Sequence, residues 1–202
     1  MEKLYTYLAL GDSYTIGEAL PLQQSFPYQV MELLRKEKWH VAAPEIIAKT
    51  GWTTDELSSA ISSHRFLGHY DFVTLLIGVN NQYRGRRLEE YTIELESLIK
   101  QALEFANKKS EHVILLSIPD YGVTPFAKKL DAAKIATEID QYNSVKRALA
   151  TQYKIAFIDI TDSTRQAYTD DSLLAEDGLH PSAKEYKTWA IKVAQLLKTV
   201  IK

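Results

Sequence analysis

The sequence predicts an α/β fold, a three-layer α/β/α sandwich built on a five-stranded parallel sheet. Short apolar runs alternate with longer amphipathic stretches along the chain, the pattern of strands joined by crossover helices. The first run, Leu4 to Leu10, is continuously apolar and aromatic, which suits a strand covered on both faces. Right-handed crossovers then place helices on both sides of the sheet. No internal repeat, low-complexity tract or interdomain linker interrupts the pattern, so residues 1–202 read as one domain.

The elements follow in order. Leu4–Leu10 forms the first strand and stops at Gly11-Asp12-Ser13. A helix spans about Ser25–Lys38, where Phe26, Val30, Leu33 and Leu34 recur at helical spacing behind Ser25 as N-cap. Val41–Ala48 is a weaker second strand, interrupted by Pro44 and followed by Lys49-Thr50-Gly51-Trp52. Thr54-Asp55-Glu56-Leu57 opens a helix towards His64, with acids in its first turn. Asp71–Ile77 is the clearest strand and ends at Gly78-Val79-Asn80-Asn81. A long amphipathic helix covers about Leu88–Asn107, and His112–Ile118 is the fourth strand, ending at Pro119-Asp120-Tyr121-Gly122. A helix at about Ala132–Thr151 leads to the fifth strand, Ile155–Ile160. A polar loop, Thr161–Pro181, precedes the last helix, about Ser182–Ile201.

Composition bounds the function. The chain has 202 residues, 46% apolar and 25% charged, with a formal net charge of −2, so no global field attracts nucleic acid or anionic lipid. It has no cysteine, which excludes disulfides, cysteine nucleophiles and thiolate metal sites. No apolar run reaches the length of a transmembrane span. Met1-Glu2-Lys3 runs straight into the first strand with no room for a signal peptide, an expectation of cytoplasmic location.

In a parallel sheet the loops after each strand share one edge, where ligands bind. That edge receives Ser13 from the first strand, Gly51 from the second, Gly78 and Asn80 from the third, Pro119–Tyr121 from the fourth and Asp177–His180 from the fifth. A serine needs a base to become a nucleophile. Of five histidines, His40, His64, His69 and His112 belong to the opposite edge; His180 alone leaves the active edge. Asp177, three residues earlier, can hold one imidazole nitrogen through a turn at Gly178 and leave the other to Ser13, with Pro181 starting the final helix. For the oxyanion of a tetrahedral intermediate, Gly51 can offer a backbone N–H, Asn80 its side-chain amide, and Ser13 its own N–H. Asp12 braces the nucleophile loop through backbone N–H groups and carries no chemistry itself.

These blocks resemble the SGNH hydrolases, the GDSL-type esterases and lipases. Gly11-Asp12-Ser13-Tyr14, Gly51, Gly78-Val79-Asn80-Asn81 and Asp177-Gly178-Leu179-His180-Pro181 match in order across nearly the whole chain. The resemblance implies a flavodoxin-like sandwich and hydrolysis of esters or thioesters of lipids, sugars or small acyl compounds. It also implies catalytic Ser13, Gly51, Asn80 and His180, completed by Asp177, and no metal or organic cofactor. Tyr14 stands in place of leucine and Asn81 in place of the aspartate that commonly follows the oxyanion asparagine. The Gly-x-Ser-x-Gly elbow of α/β-hydrolases is absent around Ser13.

The expected substrate is a small ester. Short acyl or acetyl groups are favoured because no lid-like apolar insertion is visible; a lysophospholipase or acyl-thioesterase is the alternative within the family. Trp52, Tyr83, Tyr121 and Phe126 have two readings, as lining of an acyl or sugar pocket or as loop packing. The Arg84-Gly85-Arg86-Arg87 run reads first as a solvated loop and second as a clamp for an anionic substrate group. Two rival classes are a flavodoxin-like module binding a nucleotide or flavin and a silent carbohydrate-binding relative. The first lacks a glycine-rich phosphate loop after Ser13; the second leaves an intact Ser13–Asp177–His180 set without a purpose. Oligomeric state is not encoded in any feature of the chain.

Overall fold

The computed structural model describes residues 3–200. The strands are β1 (Leu4–Tyr5), β2 (Tyr7–Asp12), β3 (His40–Val41), β4 (Glu45–Lys49), β5 (Phe72–Leu76), β6 (Val113–Leu116) and β7 (Ala156–Ile158). The helices are α1 (Ser13–Ile16), α2 (Phe26–Lys36), α3 (Thr54–Ser63), α4 (Val79–Tyr83), α5 (Leu88–Phe105), α6 (Ala132–Tyr153), α7 (Thr161–Arg165) and α8 (Ala183–Val200). The main sheet has the order β4-β2-β5-β6-β7, every pair parallel. This is the flavodoxin-like order expected of the sequence. Helices flank it: α2 packs on α8, while α5 packs on both α3 and α6.

Burial explains the apolar runs. Every residue of β2 and β5 is buried, because each strand lies inside the sheet with helices over its faces. After β2 the chain steps outward to β4, then crosses back to β5 on the other side of β2. The strand order therefore reverses between β2 and β5, and the crevice beyond their C-terminal ends is where this topology binds ligands. Ser13 leaves β2 and Asn80 leaves the loop after β5, so both open onto that crevice.

The structure departs from the expected elements in six places. The first strand is two pieces. Thr6 interrupts it because its N–H donates to the Asp71 carboxylate at 2.8 Å instead of to a ladder. β1 then pairs with β3 in a small separate sheet. The second strand also divides, at Ala42–Pro44, where proline has no N–H to give; β3 serves β1 and β4 serves β2. The Thr161–Pro181 segment is not all loop: it holds α7 and two 3-10 turns, Gln166–Tyr168 and Asp171–Leu173, the second started by the Asp170 carboxylate accepting from Ser172 N–H. Pro181 does not start the last helix but bridges Leu174, and α8 begins at Ala183. Ser25 occupies the N-cap position of α2 without capping it, since its hydroxyl donates to the Leu22 carbonyl.

The fifth strand ends at Ile158 rather than Ile160 for a similar reason. The N–H groups of Ile160 and Thr161 donate to the Ser117 hydroxyl, which draws the chain away from β6. Ile201 lies outside the described residues.

Candidate active site

Ser13 sits where β2 turns into α1. The turn is tight: a Cβ on Gly11 would lie 2.1 Å from the Thr15 hydroxyl and 2.3 Å from the Leu76 carbonyl oxygen. Asp12 caps α1 by accepting the Tyr14 N–H at 3.0 Å, the bracing role expected of it. Ser13 is 3% exposed, and its hydroxyl makes no hydrogen bond among the described residues.

His180 is held from three directions. The Asp177 Oδ2 lies 2.6 Å from His180 Nδ1, and Oδ1 accepts the N–H groups of His180 and Leu179 at 2.9 and 3.0 Å. Gly178 adopts φ +65°, a left-handed conformation that lets the chain fold back over the carboxylate. On the far side, the His180 carbonyl accepts Ala175 N–H at 2.8 Å and Ser182 N–H donates to the Leu173 carbonyl, so the histidine loop is clamped as a narrow ribbon. Burial by itself raises the Asp177 carboxyl, but the hydrogen bonds from His180 and the two backbone N–H groups outweigh it and hold the carboxyl below its ordinary range. The Tyr14 ring lies 4.9 Å from the imidazole, centroid to centroid.

The loops after β4 and β5 are stitched together. Asn80 Nδ2 donates to the Trp52 carbonyl at 3.1 Å. Asn81 is buried and bonds Thr54 twice, accepting its N–H at 3.1 Å and donating to its hydroxyl at 2.6 Å. Arg84 donates to the Gly51 carbonyl and pairs with Glu56. Asn81, the departure from the usual aspartate, thus anchors the start of α3. Gly51 has φ +83° and Gly78 φ +125°. At Gly78 an added Cβ would lie 2.7 Å from the Tyr91 ring, so Gly78→Ala combines a forbidden backbone angle with a clash in the core. We expect that variant to melt at least several degrees below wild type in a thermal scan; an unchanged melting temperature would contradict this account of the turn.

A cleft of about 100 Å³ gathers the predicted residues. It is lined by Ser13, Asn80 and His180 together with Tyr14, Val79, Tyr83, Tyr121, Phe126 and Leu179. Gly51 is not among its walls; its loop is tied to the cleft through the Asn80 amide, which bonds the carbonyl of the next residue, Trp52. His180 is the only histidine on the cleft. His64 pairs with Glu45, and His69 and His112 border a separate hollow with Asp71 beside the starts of β5 and β6. Tyr83, Tyr121 and Phe126 line the cleft and also pack on one another at 5.8–6.4 Å; Trp52 contributes its carbonyl. The arginine run is engaged elsewhere. Arg84 holds Gly51 and Glu56, Arg86 pairs with Glu90 and Asp55, and Arg87 pairs with Glu89.

The sequence reading did not single out Tyr14 as a wall beside His180, nor Lys146. That lysine is fully buried, and its Nζ donates to the Ile77 carbonyl at 2.8 Å. Its signal is visible in hindsight. Ile135, Ile139, Tyr142 and Leu149 form the buried stripe of α6, and Lys146 falls on the same stripe.

The comparisons agree on the family and the fold. The sequence model of the GDSL-like lipase/acylhydrolase family matches residues 9–188. Among solved structures, the lipase/acylhydrolase from Enterococcus faecalis is similar at 20% identity, with 98% of this chain and 97% of that chain covered and a TM-score of 0.76. An acetyl xylan esterase from Geobacillus stearothermophilus, the W215I variant of Axe2, is similar at 20% identity over 98% and 96% of the two chains, with a TM-score of 0.75. The structure of TesA is similar at 20% identity over 97% and 99%, with a TM-score of 0.73. No curated protein matches the sequence significantly. Among the described residues, no helix is long and apolar enough to cross a membrane. With the family matched from β2 to α8, this chain belongs to the GDSL-like lipase/acylhydrolase family and is a carboxylic ester hydrolase.

Proposed function

We propose that the chain is one SGNH-hydrolase-like domain that hydrolyses short acyl or acetyl esters with Ser13 as nucleophile, His180 as base and Asp177 as its partner. The observation that carries the reading is the meeting of Ser13, Asn80 and His180 on one cleft, with Asp177 2.6 Å from Nδ1 of that histidine. Asp177 occupies Nδ1, so Nε2 is the nitrogen left for Ser13. In this mechanism Nε2 takes the Ser13 proton as Oγ attacks the acyl carbon. Asp177 fixes the tautomer and stabilises the imidazolium. The oxyanion is received by the Ser13 N–H and the remaining N–H of the Asn80 amide, both on the cleft; the Gly51 N–H, the third donor that the family resemblance implies, joins them only if its loop moves towards the bound ester. His180 then gives its proton to the leaving alcohol, and a water activated by His180 releases the acid from Ser13. Apo serine hydrolases need not show the serine–histidine bond, which tightens when substrate binds.

Asn80 contributes one oxyanion donor. Loss of one donor removes roughly 3–4 kcal/mol of transition-state stabilisation. Asn80→Ala is therefore expected to lower kcat about 10²–10³-fold with its fold intact, measured on p-nitrophenyl acetate. A wild-type rate would remove Asn80 from the oxyanion hole.

Short acyl groups are supported by the small size of the cleft and by its closed side, where Val79, Tyr121 and Leu179 are at most partly exposed. The similarity in fold to an acetyl xylan esterase is in keeping with an acetyl ester. A p-nitrophenyl ester series from acetate to palmitate tests the reading. We expect turnover to be greatest at acetate or butyrate and to fall with length. A maximum at long chains would favour a lysophospholipase or acyl-thioesterase instead.

A further inference from the structure

We propose that Lys146 is a positioning residue for ester hydrolysis: from within α6 it fixes the turn that leads to Asn80 on the cleft that residue shares with Ser13. The inference rests on the roles proposed above for those two residues. Its first support is the hydrogen bond from Nζ to the Ile77 carbonyl at 2.8 Å. Ile77 lies just past the last paired residues of β5, so its buried carbonyl has left the ladder and needs another donor. The next residues are Gly78, Val79 and Asn80. A carbonyl pinned at Ile77 therefore sets the starting point of the turn that carries the oxyanion amide.

The second support is Asp12. It precedes Ser13, is 1% exposed, and interacts electrostatically with Lys146. Burial raises the Asp12 carboxyl and lowers the Lys146 ammonium, and each charge opposes the other's displacement. The Asp12 carboxyl that starts α1 and the Lys146 amine that holds the end of β5 are thus buried electrostatic neighbours, though not within salt-bridge distance. α6 has a precedent for this use on the same face: Asn143, one turn earlier, bonds both the N–H and the carbonyl of Ile118 at the end of β6, and the Thr161 hydroxyl after β7. The helix grips the sheet's active edge at several strand ends, and Lys146 grips the one leading to Asn80.

A fully buried lysine is a poor way to gain stability. An apolar residue of similar volume is often neutral or better when a buried ion pair is replaced as a unit. The test uses that fact. Lys146→Met removes the donor, and Asp12→Asn with Lys146→Met removes both charges while keeping an oxygen for the Tyr14 N–H. Both variants are checked for cooperative melting. Steady-state kinetics on p-nitrophenyl acetate are then expressed per serine that reacts with a fluorophosphonate. We expect kcat per reactive serine to fall about tenfold to a hundredfold in both variants, with KM within about twofold, the signature of a misplaced catalytic turn. Either folded variant retaining kcat per reactive serine within twofold of wild type would overturn the proposal, even if its melting temperature or reactive fraction were lower. A wild-type protein with neither turnover nor labelling would instead overturn the functional reading on which the proposal stands.

Discussion

Ser13→Ala is expected to abolish ester hydrolysis, lowering kcat by roughly 10⁴–10⁶-fold on p-nitrophenyl acetate. The size follows from the division of labour in the cleft. Asn80 and the backbone donors still bind the carbonyl oxygen, but no group remains to form the acyl-enzyme, and water must attack unaided. The variant should fold normally. The Ser13 hydroxyl makes no hydrogen bond among the described residues, so its loss breaks no network, and α1 keeps its cap from Asp12 to Tyr14 N–H. A melting temperature close to wild type together with lost turnover is the expected pair of results. Persistent hydrolysis in this variant would place the chemistry on another residue.

His180→Ala is expected to lose about as much, because nucleophile and base act as a unit and their losses do not add. Asp177→Asn should cost about 10⁴-fold in kcat, with Nδ1 no longer held in its tautomer by a carboxylate. Asp177 also makes stability depend on pH. Its folded carboxyl lies below the ordinary range, because the bonds from His180 and the backbone of Leu179 and His180 outweigh the effect of burial. Its contribution to stability is therefore complete above the unfolded carboxyl's range and is lost only as pH falls through the lower, folded value. Thermal melts of wild type and Asp177→Asn over an acid titration check this: the stability advantage of wild type should close only as pH falls below the ordinary carboxylate range, and an advantage independent of pH would contradict it.

Much of this site was legible in the chain because its parts are punctuation marks. Apolar runs ending at Gly11, Gly78 and Pro119 mark strand ends, and parallel connections send every such end to one edge of the sheet. Sorting five histidines by edge was then enough to isolate His180, and spacing alone pointed to Asp177. What remained hidden depends on contacts between distant residues. The break at Thr6 arises from Asp71, 65 positions away. The helical turns after β7 depend on local caps such as Asp170, which read as an undifferentiated polar loop. The arginine run reads first as a solvated loop and second as an anion clamp, and only the fold brings Glu56, Asp55, Glu89 and Glu90 to it as partners. Lys146 was overlooked because a lysine within a helix reads as solvent-facing, although its register with Ile139 and Tyr142 places it in the core.

The central claim is that Ser13 is activated within this cleft, and covalent labelling tests it most directly. Wild-type protein is treated with a fluorophosphonate, and the modified peptide is identified by mass spectrometry alongside residual esterase activity. One adduct per chain on Ser13, accumulating in step with loss of activity and absent from Ser13→Ala and His180→Ala, is the predicted result. An active enzyme that escapes labelling, or one whose inactivation tracks an adduct on a different residue, would contradict it.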